Sequence, residues 1–130
     1  MPAESQAGAQ LGISIHADGN TSGSARGFHV IEPQVAAGGT NTVAKAARFG
    51  GMLRDRMRGT GMPTSTYIGS NGIDVRGDLG GLNLSTIPKV FVECGNMRNG
   101  TDIALLHDPT WQANAADAIV AAMADYFASS

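Results

Sequence analysis

Apolar and polar positions follow two different periods along this chain. Residues 11–16 (LGISIH) and 27–31 (GFHVI) are short runs rich in isoleucine and valine, and each predicts a buried strand. The first runs into Ala-Asp-Gly-Asn, a turn-forming string, and the second is expected to stop at Glu32-Pro33. A third run, KVFVECG after Pro88, places Val90, Phe91 and Val92 in succession, which predicts a central strand covered on both faces. The spacing changes to threes and fours in two longer stretches. Val43, Ala46, Ala47, Phe49, Leu53 and Met57 mark a helix capped by Asn41 or Thr42 and ended by Gly59, Gly61 and Pro63. Trp111, Ala115, Ala118, Ile119, Ala122, Met123 and Tyr126 mark a second helix, with Asp108 as N-cap, Pro109 in the first turn and an end near Phe127. Residues 1–10 read as a frayed start or part of a helix begun elsewhere. Residues 62–87 read as sparse in elements, apart from a short helix around 78–84. Strands alternating with amphipathic helices give an α/β fold, a mixed or parallel sheet flanked by helices.

Composition narrows the class. With 130 residues the chain is one domain or less, and its 18 glycines, falling mainly between the periodic segments, predict ordered elements joined by long loops. The net charge is −2 and the basic residues are scattered, which argues against nucleic acid as a partner. No apolar run approaches the roughly 18 residues of a transmembrane segment, and the first ten residues lack the pattern of a signal peptide. A single cysteine, Cys94, rules out an internal disulfide framework and a multi-cysteine zinc site, and reads as a small buried residue.

Two polar side chains stand where apolar strands run out: His16 after LGISI and Glu93 after KVFV. In open α/β sheets the crevice beyond the strand ends is the usual ligand site, so the two are expected to face one pocket. Neutral imidazole is a common zinc ligand, and a neighbouring carboxylate can take a proton from the attacking water. Blander readings stand beside this one. His16 can be a hydrogen-bonded structural residue, and Glu93 can be neutralised by Arg76 or Arg98 as an ion pair. Asp18 reads as a turn residue, His29 as facing a neighbour or solvent, and His107 as structural beside a helix cap. Arg76 could hold a substrate carboxylate or pin a loop. Asn20-Thr21-Ser22 fits a glycosylation sequon, a weak pattern.

SIHAD at 14–18, GFHV at 27–30, RGDLGGLN at 76–83 and PKVFVECGNMRN at 88–99 together resemble the zinc-dependent peptidoglycan amidases of the Amidase_3 type. GNMRN is closest to the compact, single-domain mycobacterial branch. The resemblance spans residues 11–127 and implies that His16 is a zinc ligand and Glu93 the catalytic acid/base. Arg76 matches the arginine of an Arg-x-x-Leu segment, with a structural or substrate-positioning role. The implied reaction is hydrolysis of the amide between N-acetylmuramic acid and the L-alanine of the stem peptide, on peptidoglycan and therefore in the periplasm or cell wall after export.

One departure is large. The family's other two zinc ligands, a histidine and a glutamate, lie upstream of the SIHAD segment, and the ten residues before Leu11 hold no match for them. The expectation is that residues 1–130 form the C-terminal portion of one catalytic domain that lacks its N-terminal strands. Alone it is expected to be inactive, with Zn²⁺ completed by the N-terminal segment. Its exposed surfaces are expected to be covered by that segment or by a second copy of the chain. The alternative is a catalytically inactive peptidoglycan-binding or regulatory module that has lost its metal site.

Overall fold

The computed structural model describes residues 3–129. In chain order the elements are α1 (Ala3–Gln6), β1 (Gly12–Asp18), β2 (His29–Pro33), α2 (Thr40–Met57), β3 (Ile73–Arg76), α3 (Gly80–Asn83), β4 (Lys89–Asn96), α4 (Gly100–Leu106) and α5 (Pro109–Ala128), with a single 3-10 turn, Arg58–Thr60, after α2. The four strands lie in the order β1-β4-β2-β3. β4 runs parallel to β1 and antiparallel to β2, while β2 and β3 are parallel, so the sheet is mixed. β4 is central, as its run of consecutive apolar residues predicts, and β1 lies at one edge.

The register sorts the side chains of the sheet into two faces, because neighbours in register share a side and alternate residues along a strand do too. One face carries Ile13, Val30, Ile73, Val90, Val92 and Cys94. Helices α2 and α5 pack on it, with Phe49, Leu53 and Met57 from the first and Trp111, Ala115 and Ala122 from the second in the same core. Each large side chain fully buried there contributes roughly 1.5–3 kcal/mol of transfer free energy. Ser14, His16, Phe91, Glu93, His29, Ile31, Asp74 and Arg76 occupy the opposite face. That face has only a partial roof: α3 sits on Phe91 so closely that a Cβ at Gly81 would lie 3.2 Å from its ring.

Helix α5 follows its expectation closely. The Asp108 carboxylate accepts the Thr110 amide at 3.0 Å, Pro109 occupies the first turn, and the apolar stripe is buried except for Met123, which is only partly covered. Helix α2 departs at its start. Its N-cap is Gly39, at φ +91°, with no side-chain cap bond, rather than Asn41 or Thr42. Thr42 is turned into the interior, where its hydroxyl occupies the space a Cβ on Gly38 would need, so it is not available to cap. Gly50 also joins the buried stripe, while Ala47 is exposed. β2 does not stop at Glu32-Pro33 but includes both, since Pro33 falls at its last position and the ladder continues from the Gln34 amide to Arg76 O at 2.8 Å. The stretch 62–87 holds a strand, β3, that its sequence does not announce, together with α3 where a short helix is expected. Helix α4 is also unannounced, and Asn99 caps it by accepting the amides of Thr101 and Asp102. The start of the chain forms one short helical turn, α1.

β1 has strand β4 on one side and no strand on the other among the described residues. Two adjoining hollows of about 350 and 360 Å³ lie beside it, and Ile15, Cys94 and Trp111 line both. Ile15 and Val120, at the rim, are 60% and 65% exposed, large values for branched apolar side chains in a chain of this size.

Candidate active site

The parallel ladder between β1 and β4 sets His16 directly beside Glu93. Just beyond this pair the register shifts by a bulge, so that Asp18 pairs with Asn96 and the ladder continues with the Met97 amide donating to Asp18 O at 2.8 Å. The His16 imidazole is exposed and stacks on Phe91, with ring centroids 5.1 Å apart and planes at 24°, which fixes its plane above the sheet. Glu93 is half-buried. Burial raises its carboxyl pKa above the ordinary value and Asp18 adds to this, while the charges of His16 and Arg76 oppose it. Among the described residues it makes no salt bridge, so it is not ion-paired with Arg76 or Arg98: Arg76 is engaged with Asp78 instead. An acid held above its usual range beside an imidazole suits proton transfer.

On the other flank of Glu93 stands His29, its register partner from β2. It is 2% exposed, so it faces neither solvent nor an open groove, and its Nδ1 has no hydrogen-bond partner. Burial lowers its pKa, outweighing the carboxylates of Asp18 and Asp74, so the ring is neutral in the middle of the pH range. Tyr67 meets this ring edge-on at a centroid distance of 6.0 Å. The Tyr67 hydroxyl donates to Asp18 Oδ2 at 2.5 Å, so Asp18 is more than a turn residue: it ties the segment after Met62 to the end of β1.

A second buried network frames the site from below. Asp102, fully buried in the first turn of α4, accepts Arg26 Nε at 3.0 Å, the Gly27 amide at 2.8 Å and the Asn96 amide at 2.9 Å. Asn96 in turn donates from Nδ2 to the carbonyls of Ser22 and Ala25. The glycine-rich link between β1 and β2 is thereby fastened to the end of β4. Close approach at Gly27 requires glycine: φ is +100° and a Cβ would lie 2.6 Å from Thr64 O. The sequence gives one signal for this network, an aspartate in the first turn of an unrecognised helix, and none for its partners.

The remaining residues singled out in the sequence lie elsewhere or act otherwise. Cys94, beside Glu93 but on the opposite face, is 6% exposed, and burial pushes its thiol up to about 11, so it is an inert packing residue. His107 is the exposed C-cap of α4 and lines the same hollow as His16. Arg76 ends β3 on the face of Glu93 and pairs with Asp78.

As a metal centre the arrangement is half of one. His16 offers an accessible imidazole and Glu93 an adjacent carboxylate of the kind that serves a zinc-dependent hydrolase. A zinc site needs three protein ligands, and the described residues hold no group of three His, Cys, Asp or Glu side chains able to share an ion. By chemistry the pair is compatible with one ligand and one base of such a centre, and the described residues offer no further ligands beside it.

Comparison with known proteins identifies the family. The model of the family described as N-acetylmuramoyl-L-alanine amidase, Amidase_3, matches residues 3–125. The N-acetylmuramoyl-L-alanine amidase Rv3717 of Mycobacterium tuberculosis is 37% identical over 119 residues, covering 90% of this chain and 48% of that protein. Two crystal structures of the amidase Ami1 superpose well. The one from Mycobacterium smegmatis has a TM-score of 0.84 at 39% identity, over 94% of this chain and 56% of that one. The one from Mycobacterium abscessus has a TM-score of 0.85 at 35% identity, over 94% and 57%. The chain therefore spans about half the length of these relatives.

Proposed function

The chain belongs to the N-acetylmuramoyl-L-alanine amidase family of the Amidase_3 type, and from that membership we propose that it carries the C-terminal part of a peptidoglycan amidase domain. The reaction is hydrolysis of the amide joining the lactyl group of N-acetylmuramic acid to L-alanine of the stem peptide. The observation that carries this reading is the placement of His16 and Glu93 side by side, on one face, at the ends of neighbouring strands. Glu93 takes a proton from the attacking water and delivers it to the leaving amine nitrogen, work for which its raised pKa suits it. His16 is a ligand for zinc, with Phe91 holding its ring in plane. Zinc, when bound, supplies Lewis acidity and makes a nucleophile available at neutral pH.

The remaining ligands we assign to an N-terminal part of the domain, a reading compatible with this chain covering 48% of one relative and 56% of another. That N-terminal segment is the partner we assign to the open edge of β1 and its two hollows, because a strand added there would pair the edge, cover Ile15 and pass beside His16. Peptidoglycan as substrate puts the working enzyme outside the cytoplasmic membrane. No helix among the described residues is long and apolar enough to cross one.

The test is metal content and turnover of this chain joined to such a segment. Zinc at one per complex is expected, retained by Glu93→Gln with activity down by a factor of about 10² or more, and lost in His16→Ala. Normal turnover in Glu93→Gln would remove Glu93 from the chemistry, and zinc retained in His16→Ala would remove His16 from the ligands.

A further inference from the structure

The Arg76–Asp78 pair is two-pronged, a form it shares with the surface pair Arg56–Asp125, and it is set apart by its place on the face that carries Glu93. Arg76 donates from Nε to Asp78 Oδ1 at 3.0 Å and from Nη2 to Oδ2 at 2.8 Å, the planar two-pronged grip by which a guanidinium reads a carboxylate. The grip is presented by fixed backbone. The Arg76 carbonyl accepts the Gln34 amide at 2.8 Å, and Asn83 Nδ2 donates to the Gly77 carbonyl at 2.8 Å, so the turn is pinned on both sides. The pair is nevertheless open to water, with side chains 35% and 66% exposed, and exposed ion pairs are held weakly. A competing carboxylate can replace Asp78 at little cost.

Position gives the pair its meaning. Arg76 pairs in register with Pro33, and Pro33, Ile31 and His29 alternate onto the face that carries Glu93. From His29, opposite Glu93, to Pro33 is four residues along β2, about 13 Å at a strand's rise of roughly 3.3 Å per residue. An extended peptide whose first amide lies at Glu93 would bring a carboxylate to Arg76 about three or four residues further on.

We propose that Arg76 is the carboxylate-reading residue of this site, occupied by Asp78 when no substrate is bound and by a distal carboxylate of the stem peptide when one is. Asp78 is then an internal stand-in that keeps the guanidinium oriented and sets a threshold against ligands without an acid group. The inference rests on the peptidoglycan reading above and deepens it.

Calorimetric titration of the chain joined to the N-terminal segment proposed above, in a Glu93→Gln background so that the ligand is not cleaved, tests it, with an N-acetylmuramoyl tetrapeptide in two forms, carboxylates free and carboxylates converted to carboxamides. The free acid is expected to bind more tightly than the amide. Asp78→Ala is expected to tighten the acid form by up to about fivefold and leave the amide form unchanged. Arg76→Lys keeps the charge but loses the fork and should reduce the preference between the two forms, while Arg76→Gln should abolish it. Equal binding of acid and amide overturns the inference and leaves the amidase reading intact. Unchanged or weaker acid binding in Asp78→Ala overturns the exchange. Binding of neither form overturns both readings. The exposure of both side chains keeps these variants folded, which an unchanged amide spectrum outside residues 74–80 verifies.

Discussion

Tyr67 donates its hydroxyl to the Asp18 carboxylate across 2.5 Å, and so fastens a loop to the strand end that carries His16, 49 residues away in sequence. Burial, together with this bond, holds the phenol pKa well above its ordinary value, so the donor stays protonated throughout the working range.

Tyr67→Phe removes that bond and little else. A hydrogen bond to a charged acceptor contributes about 1.5–3 kcal/mol, and Asp18 keeps the Gly19 amide and some solvent, so a loss near the lower figure is expected. Denaturant unfolding measures it. An unchanged midpoint would show that the loop is held by packing alone.

Asp102→Ala should be the most damaging single substitution in the site's frame. It strands Arg26 and leaves the Gly27 and Asn96 amides without acceptors in a dry interior, a cost of about 3–5 kcal/mol. Chains of this size have only about 5–15 kcal/mol in total, so the expected result is a large fall in melting temperature or failure to accumulate folded protein. A melting temperature within a degree of the parent contradicts the assignment.

Glu32 makes stability depend on pH. It lies buried on the helix-covered face, and burial lifts its carboxyl from 4.5 to about 7 against the opposing charge of Arg54. The folded state therefore prefers the protonated acid. Between about pH 4.5 and 7 the unfolded chain releases that proton and the folded one keeps it, so stability is greatest below the unfolded value and falls as pH rises. The loss reaches at most about 3 kcal/mol once pH passes 7. Glu32→Gln should flatten the profile of unfolding free energy over this interval, and a profile identical to that of the parent would exclude Glu32 as its source.

The same side chain explains a glycine in the middle of α2. A Cβ at Gly50 would lie 2.1 Å from Glu32 Oε2 and 2.8 Å from its Cδ, so Gly50→Ala should destabilise despite alanine's better helix propensity. With Glu32→Ala present the clash disappears and the propensity gain of about 1 kcal/mol should emerge. A double-mutant cycle by chemical denaturation gives the coupling, and additive effects would mean that the two residues do not meet.

What could be read from the sequence followed the length of each pattern. α5 has twenty residues, an aspartate cap and a proline in its first turn, and β4 has three consecutive apolar residues after a proline, so local signals agreed with the final packing. β3 has four residues with a mixture of charge and apolar character, and it is a strand because β2 offers it an edge, which nothing local reveals. The His16–Glu93 pair was legible because both residues end apolar runs, a pattern that marks the same end of parallel neighbours. His29, Tyr67 and Asp102 were not, since their roles arise from contacts across 38 to 76 residues of chain that no local spacing encodes.

Trp111 is the only tryptophan in the chain, and it lines both hollows beside β1 while its indole Nε1 has no partner. Its emission is therefore a built-in optical reporter placed beside the open edge of β1. Whatever polypeptide comes to lie along β1 will alter the polarity around that one ring, and assembly can be followed by intrinsic fluorescence without attaching a dye.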